Sequence, residues 1–264
     1  MSRLAASARA AAVARLDPIE LSDVLAVAGL QTRTDRKYLV TPSQYERMLD
    51  QLGGRFQALE IDGIRGFRYE SVYFDTALLD LFHAHRQRRR RRYKVRTRTY
   101  LDSDESMFEV KLEGRRGSTI KRRMPYAPQD RNRMTDRARE FVTDVLTQEY
   151  AMRPAPLRPT LSTAYTRSTL VDPVAGSRLT CDVDLVCTGA VGTRRHGPDL
   201  ILLESKSVSG RSPAEDALAA LGVRPVQLSK YCVSVALLHP HVAANRWSRL
   251  LRRHFDWTRA PLAG

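Results

Sequence analysis

The stretch HRQRRRRRYKVRTRTY, residues 85–100, constrains the fold more than any other. Every even position from Arg86 to Arg98 is cationic, while from residue 93 the odd positions are Tyr93, Val95, Thr97 and Thr99. Aromatic and β-branched residues favour strands. Alternation with period two puts the cations on one face and leaves the other free to pack. The stretch therefore reads as a strand from about residue 92, with Arg86–Arg91 as a basic entrance that would steer an anionic chain. The plainer alternative is a solvated or nucleic-acid-binding basic run, which needs no alternation.

The same pattern recurs along the chain. LQTRTDRKYLV (30–40) puts Arg33, Asp35 and Lys37 on one face, and MFEVKLEG (107–114) separates Phe108, Val110 and Leu112 from Glu109, Lys111 and Glu113. STIKRRMPY (118–126) brings Lys121 and Arg123 together and completes a hairpin with 107–114. FRYESVYFD, STAYTRSTLV, SRLTCDVDLVC and DLILLESKS read as further strands, the last with Glu204 and Lys206 on one side. Helices are expected over 42–53, 130–150 and 212–222, the first entered through Thr41 and Pro42 and the last through Ser212, Pro213 and Glu215. Lys230 stands before an apolar run, and the tail from Asn245 reads as a basic amphipathic helix. The expected organisation is a frayed N-terminal arm over 1–16, one α+β domain over 17–242, and a basic tail over 243–264.

A sheet whose polar face is this dense in cations suits a closed antiparallel β-barrel with helices outside and a wet, anion-filled lumen. The net charge of +15 also calls for a polyanionic partner. Only six of the 44 basic residues are lysines: Lys37, Lys94, Lys111, Lys121, Lys206 and Lys230. Nearly all lie in strand-like segments, as though those sites require a compact ammonium rather than a planar guanidinium. Arginine would grip phosphate in bidentate fashion, and carboxylates among the cations could hold a divalent metal. Asp35, Glu109, Asp182 and Glu204 are the candidates. There is no Walker-A loop, and no His/Cys pair stands out as a nucleophile site. Specific nucleic-acid binding is disfavoured, because only Tyr93 and Tyr100 flank the basic run and aromatics make up 7%. The three cysteines have no metal-site spacing, which with the poor signal-peptide character of the N-terminus suggests a reducing, cytoplasmic setting.

The series RTDRKYLV, YESVYFDT, YKVRTRTY, MFEVKLEG, TIKRRM, AYTR, RLTCDVDL, LLESK and LSKY resembles the VTC domain, from about residue 30 to 240. This is the polyphosphate polymerase domain of the vacuolar transporter chaperone proteins, within the triphosphate tunnel metalloenzymes or CYTH superfamily. The resemblance implies an antiparallel β-tunnel in which the ATP γ-phosphate is moved onto a polyphosphate chain with Mn²⁺ or Mg²⁺. It implies catalytic roles for Arg96, Arg98, Lys111 and Lys121. Substrate binding would fall to Lys37, Lys94, Arg123, Arg167, Arg178, Lys206 and Lys230, and the metal to Glu204. Hydrolytic relatives share an ExExK first strand, whereas here the spaced positions are Arg33, Asp35 and Lys37. That departure favours transfer over triphosphate hydrolysis, which stays as an alternative beside a non-catalytic polyphosphate-binding module. The SPX domain and membrane helices of eukaryotic relatives are not expected here, which leaves a membrane partner protein open as an anchor.

Overall fold

Alternating segments become strands and capped amphipathic segments become helices in a computed structural model that describes residues 4–28, 34–114, 118–195, 199–207, 210–255 and 257. The first part of the chain forms α1 (Leu4–Ala14), β1 (Pro18–Ile19), α2 (Leu21–Ala28), β2 (Thr34–Val40), α3 (Pro42–Leu52), β3 (Gln57–Leu59) and β4 (Phe67–Asp75). The middle forms α4 (Asp80–Arg86), β5 (Tyr93–Tyr100), β6 (Glu105–Glu113), β7 (Thr119–Tyr126) and α5 (Asp136–Tyr150). The remainder forms β8 (Arg158–Asp172), β9 (Ser177–Gly189), β10 (Gly192–Arg195), β11 (Ile201–Ser207), α6 (Pro213–Ala220), α7 (Lys230–Leu238) and α8 (Ser248–His254). The ladder order is β2-β11-β9-β8-β4-β5-β6-β7. The α+β class with a large antiparallel sheet is as expected. Among the described residues β2 and β7 are the ladder's two ends, so the pairing differs from a fully closed barrel in that detail.

The chain divides into two compact units, where the sequence suggests a single domain over 17–242. The first comprises Met1–Arg68, Tyr165–Leu185 and Arg195–Gln227. Here β11 pairs antiparallel with β2, from Ile201↔Val40 to Ser207↔Thr34, and with β9, from Leu202↔Asp182 to Lys206↔Arg178. The inward residues Tyr38, Val40, Leu179, Cys181, Ile201 and Leu203 pack with Tyr45 and Met48 of α3 and Leu218 of α6. α3 starts where expected, because Thr41 and Gln44 form a reciprocal capping box, and it ends at Gly53 in the left-handed region, φ 55°. The N-terminal arm is not frayed over its described part. Ala5, Ala12 and Val13 of α1 enter the core, and the buried Arg9 donates to Ser168 Oγ. Small side chains let this helix pack closely despite its weak sequence signature.

The second unit comprises Tyr69–Ala164, Val186–Arg194 and Leu228–Gly264. β4, β5, β6 and β7 are antiparallel neighbours in chain order. Val95, Phe108, Val110 and Leu112 pack against Val142, Val145 and Leu146 of α5. α7 is buried from Tyr231 to Leu238 and packs with Trp247, Leu251 and Trp257, so the C-terminal segment belongs to this core. Among the described residues no helix is long and apolar enough to cross a membrane.

Candidate functional site

Two cation-rich faces emerge, one in each unit. In the second unit, burial alternates along β5: Tyr93, Val95, Thr97 and Thr99 are buried, while Lys94, Arg96 and Arg98 are half-exposed. The ladder then aligns these cations with those of β6 and β7. Lys94 sits opposite Lys111, and Lys111 opposite Lys121. One step along, Arg96 sits opposite Glu109, and Glu109 opposite Arg123. Three lysines abreast on adjacent strands concentrate positive charge on this face, and like charges directly opposite repel across a sheet.

Glu109 is the local counter-charge. It is 2% exposed and accepts from Arg96 through Nη2 at 2.6 Å and Nε at 2.8 Å, with Lys121 Nζ on its other oxygen. Burial pushes its carboxyl up, but Arg96, Arg98 and Lys121 outweigh this and hold it well below the usual carboxylate range. Burial also lowers the Lys121 ammonium, to about 8, against the pull of Glu109. The Arg96 guanidinium donates to Tyr73 Oη at 3.3 Å and lies 5.9 Å from that ring. Tyr73 in turn stacks on Tyr231, 5.0 Å between centroids, and the Tyr231 hydroxyl donates to the buried Asp75. Arg98 lies 5.8 Å from the ring of Tyr69. Lys230 opens α7, behind the Ser229 cap. The sequence reading did not single out Tyr69 or Tyr73. Their signal is weak, because both sit in an aromatic-rich strand where packing explains them equally well.

In the first unit the register interleaves charges of both signs. Glu204 faces Lys37 on β2 and Thr180 on β9, while Lys206 faces Asp35 and Arg178. Glu204 Oε1 lies 3.1 Å from Lys206 Nζ, and Oε2 lies 3.9 Å from Lys37 Nζ. Lys206 is 13% exposed, and burial lowers its ammonium to about 8, with Arg178 and Arg167 adding to the effect and Glu204 opposing it. Arg167 is buried and bidentate with Asp182, at 2.6 and 2.8 Å, and lies 5.3 Å from the ring of Tyr165. Burial would lower its guanidinium, yet Asp182 raises it well above the ordinary value. Arg33 lies outside the described residues. The expected site residues therefore fall into two sets: Lys94, Arg96, Arg98, Lys111, Lys121, Arg123 and Lys230 in the second unit, and Lys37, Arg167, Arg178, Glu204 and Lys206 in the first.

The carboxylates bear on the metal. Among the described residues no group of three His, Cys, Asp or Glu side chains could hold an ion. Glu204 offers one carboxylate between two ammoniums. That donor set fits Mg²⁺ or Mn²⁺ carried mainly by phosphate oxygens and water, with one protein carboxylate, rather than an all-protein cage.

A model of the VTC domain matches residues 32–239. This chain belongs to the VTC domain family. The match ends before the C-terminal segment that carries Trp247 and α8. Among curated proteins none matches this sequence. Among solved structures, a candidate adenylyl cyclase from Hippeastrum, described as having a dominant triphosphatase activity, is 16% identical with a TM-score of 0.48, over 76% of this chain and 94% of that one. A candidate adenylate cyclase from Bacillus halodurans is 13% identical with a TM-score of 0.38, over 89% and 95%. The PH1012 protein of Pyrococcus horikoshii is 11% identical with a TM-score of 0.38, over 73% and 92%. For a VTC domain, cations concentrated on strand faces suit triphosphate or polyphosphate chemistry.

Proposed function

We propose that this VTC domain moves the γ-phosphoryl group of ATP onto a polyphosphate chain. The observation that carries this reading is the row Lys94–Lys111–Lys121 beside Arg96, Glu109 and Arg123. Such a row offers several ammoniums in line to the oxygens of one phosphate chain, and charge-assisted contacts of that kind are strong. Arg96, fixed by Glu109 and Tyr73, is pre-aimed, so binding loses less side-chain freedom. In the first unit, Lys37, Arg178 and Lys206 would bind phosphate oxygens, and Arg167 would act from its fixed pairing with Asp182. A divalent metal held with Glu204 would neutralise phosphate charge during transfer.

Transfer needs no general base, because a terminal phosphate oxygen is already ionised at neutral pH. Hydrolysis requires a carboxylate that orients water. Two of the three candidates support that role poorly, since Glu109 and Asp182 are each committed to cations. Asp35 is exposed and faces Lys206 across the ladder, and this observation favours triphosphate hydrolysis as the second reading.

The deciding test is incubation of purified protein with ATP and Mn²⁺ or Mg²⁺, with phosphate products resolved on a gel. A polyphosphate ladder with matching ADP is the expected result. Orthophosphate without a ladder would replace polymerisation with hydrolysis. Glu204→Gln is expected to lose metal-dependent turnover while keeping tripolyphosphate binding in the absence of metal, and a fully active variant would remove Glu204 from the metal's ligands.

A further inference from the structure

The chain has ten tyrosines, and eight of them are buried. The two that are half-exposed, Tyr69 and Tyr100, are partners in the β4–β5 register, with ring centroids 5.1 Å apart at 62°. Tyr100 ends β5 and alternates with the buried Thr97 and Thr99, so it shares the face of Lys94, Arg96 and Arg98. Arg98 joins the cations to the rings, with its guanidinium 5.8 Å from the centre of Tyr69. The Arg98 Nε is buried and meets no acceptor among the described residues. The two ends of this line differ in charge. Past Tyr100 the turn carries Asp102 and Asp104, and Glu105 on β6 stands opposite Tyr100, all three exposed. Past Lys94 the chain carries Arg92 and the arginines before it.

A half-exposed ring beside a row of cations suits a molecule that is flat at one end and anionic along the rest. Every nucleobase has a π-face that stacks on an aromatic side chain, and a phosphate oxygen would give Arg98 Nε an acceptor. The spacing agrees. At strand rise Arg98 is about 7 Å from Tyr100 and Arg96 about 13 Å, within reach of an extended nucleoside triphosphate. The carboxylates beyond Tyr100 repel phosphate, so the phosphate tail would run toward Lys94. A cross-strand ring pair also stabilises a sheet by itself, but that role needs neither exposure nor cations alongside. Single-stranded nucleic acid would be expected to stack on successive rings, whereas the other tyrosines are buried.

We propose that Tyr100 is the stacking platform for the base of the donor nucleotide, which lies along β5 with its α-phosphate at Arg98 and its γ-phosphate toward the Lys94–Lys111–Lys121 row. Tyr69 holds the platform ring in place from the neighbouring strand. This rests on the reading of the face as a triphosphate site. It makes the donor a nucleoside triphosphate rather than an inorganic one, and it leaves the Lys94 end to the acceptor chain.

The test compares binding of ATP and of tripolyphosphate, a triphosphate without a base, to the full chain in the absence of metal. Tyr100→Leu keeps an apolar side chain and removes the ring. It is expected to lose roughly tenfold of ATP affinity with tripolyphosphate affinity unchanged, while Tyr100→Trp keeps or strengthens ATP binding. In Tyr100→Trp a stacked base should also quench the fluorescence of the introduced indole, and tripolyphosphate should not. Equal weakening of both ligands in Tyr100→Leu overturns the platform. A loss of stability with both affinities intact returns the ring pair to a purely structural role. A single-stranded oligonucleotide that binds more tightly than ATP and loses the same factor would reassign the platform to nucleic acid. If wild type binds neither ATP nor tripolyphosphate, the triphosphate reading of the face falls and the platform with it. If it binds both and Tyr100→Leu leaves their ratio unchanged, the platform alone falls.

Discussion

Two lysines carry a pH signature that phosphate binding would report. Lys206 and Lys121 are each lowered to about 8 by burial, and nearby arginines add to the shift. Below that value both are ammoniums in the folded protein, and above it they become neutral before an unfolded lysine would. Between about pH 8 and 10.4 the unfolded chain therefore binds more protons, so stability rises with pH over this window as the buried charge is relieved. Phosphate binding has the opposite trend, because a neutral amine no longer attracts the anion. Tripolyphosphate affinity is expected to fall roughly tenfold per lysine between pH 7 and pH 9, read by calorimetry, while Lys206→Arg flattens the profile. A profile that is flat in wild type would remove both lysines from the binding face. The identity of these residues was legible in the sequence, because lysine is scarce in a chain rich in arginine. Their shifted protonation was not, since it depends on which cations the ladder brings beside them.

At the scale of elements, the β5–β6–β7 ladder sets which cations a phosphate chain would meet. Lys111→Met removes the middle charge of the three-lysine row but keeps a long side chain. It is expected to weaken tripolyphosphate binding severalfold, read by calorimetry, while the far side of the strand keeps its packing. Unchanged tripolyphosphate affinity would remove Lys111 from the binding face. α4 presents a different case. The Asp75 carboxylate accepts from the backbone N–H groups of Thr76 at 2.7 Å, Leu81 at 2.9 Å and Phe82 at 3.0 Å, and from the Tyr231 hydroxyl. Asp75→Ala strands several buried donors, and a loss of about 3 kcal/mol is expected in urea denaturation. Strand alternation from Tyr93 onward and the 107–126 hairpin were readable, because apolar–charged alternation and turn spacing are local. The alternation of Arg86–Arg91 proved coincidental, since those residues form the end of α4 and the turn after it.

For the whole molecule, a net charge of +15 carries self-repulsion that a bound polyanion would relieve. Tripolyphosphate at about 100 times its Kd is expected to add about 2.7 kcal/mol and raise Tm by several degrees. The gain should shrink in 1 M salt, where the screening length falls to about 3 Å. An equal rise with chloride or sulfate at matched ionic strength would show general screening rather than a site. The sequence by itself determined the antiparallel α+β class, the cationic faces and the family, because periodicity, charge and motif order are carried along the chain. Tertiary structure alone decided that the chain forms two compact units and that the N-terminal helix joins a core. It also decided which charges meet: Glu109 between Arg96 and Lys121, and Asp182 on Arg167. Those pairings depend on register and on contacts between residues remote in sequence, and no local pattern encodes them.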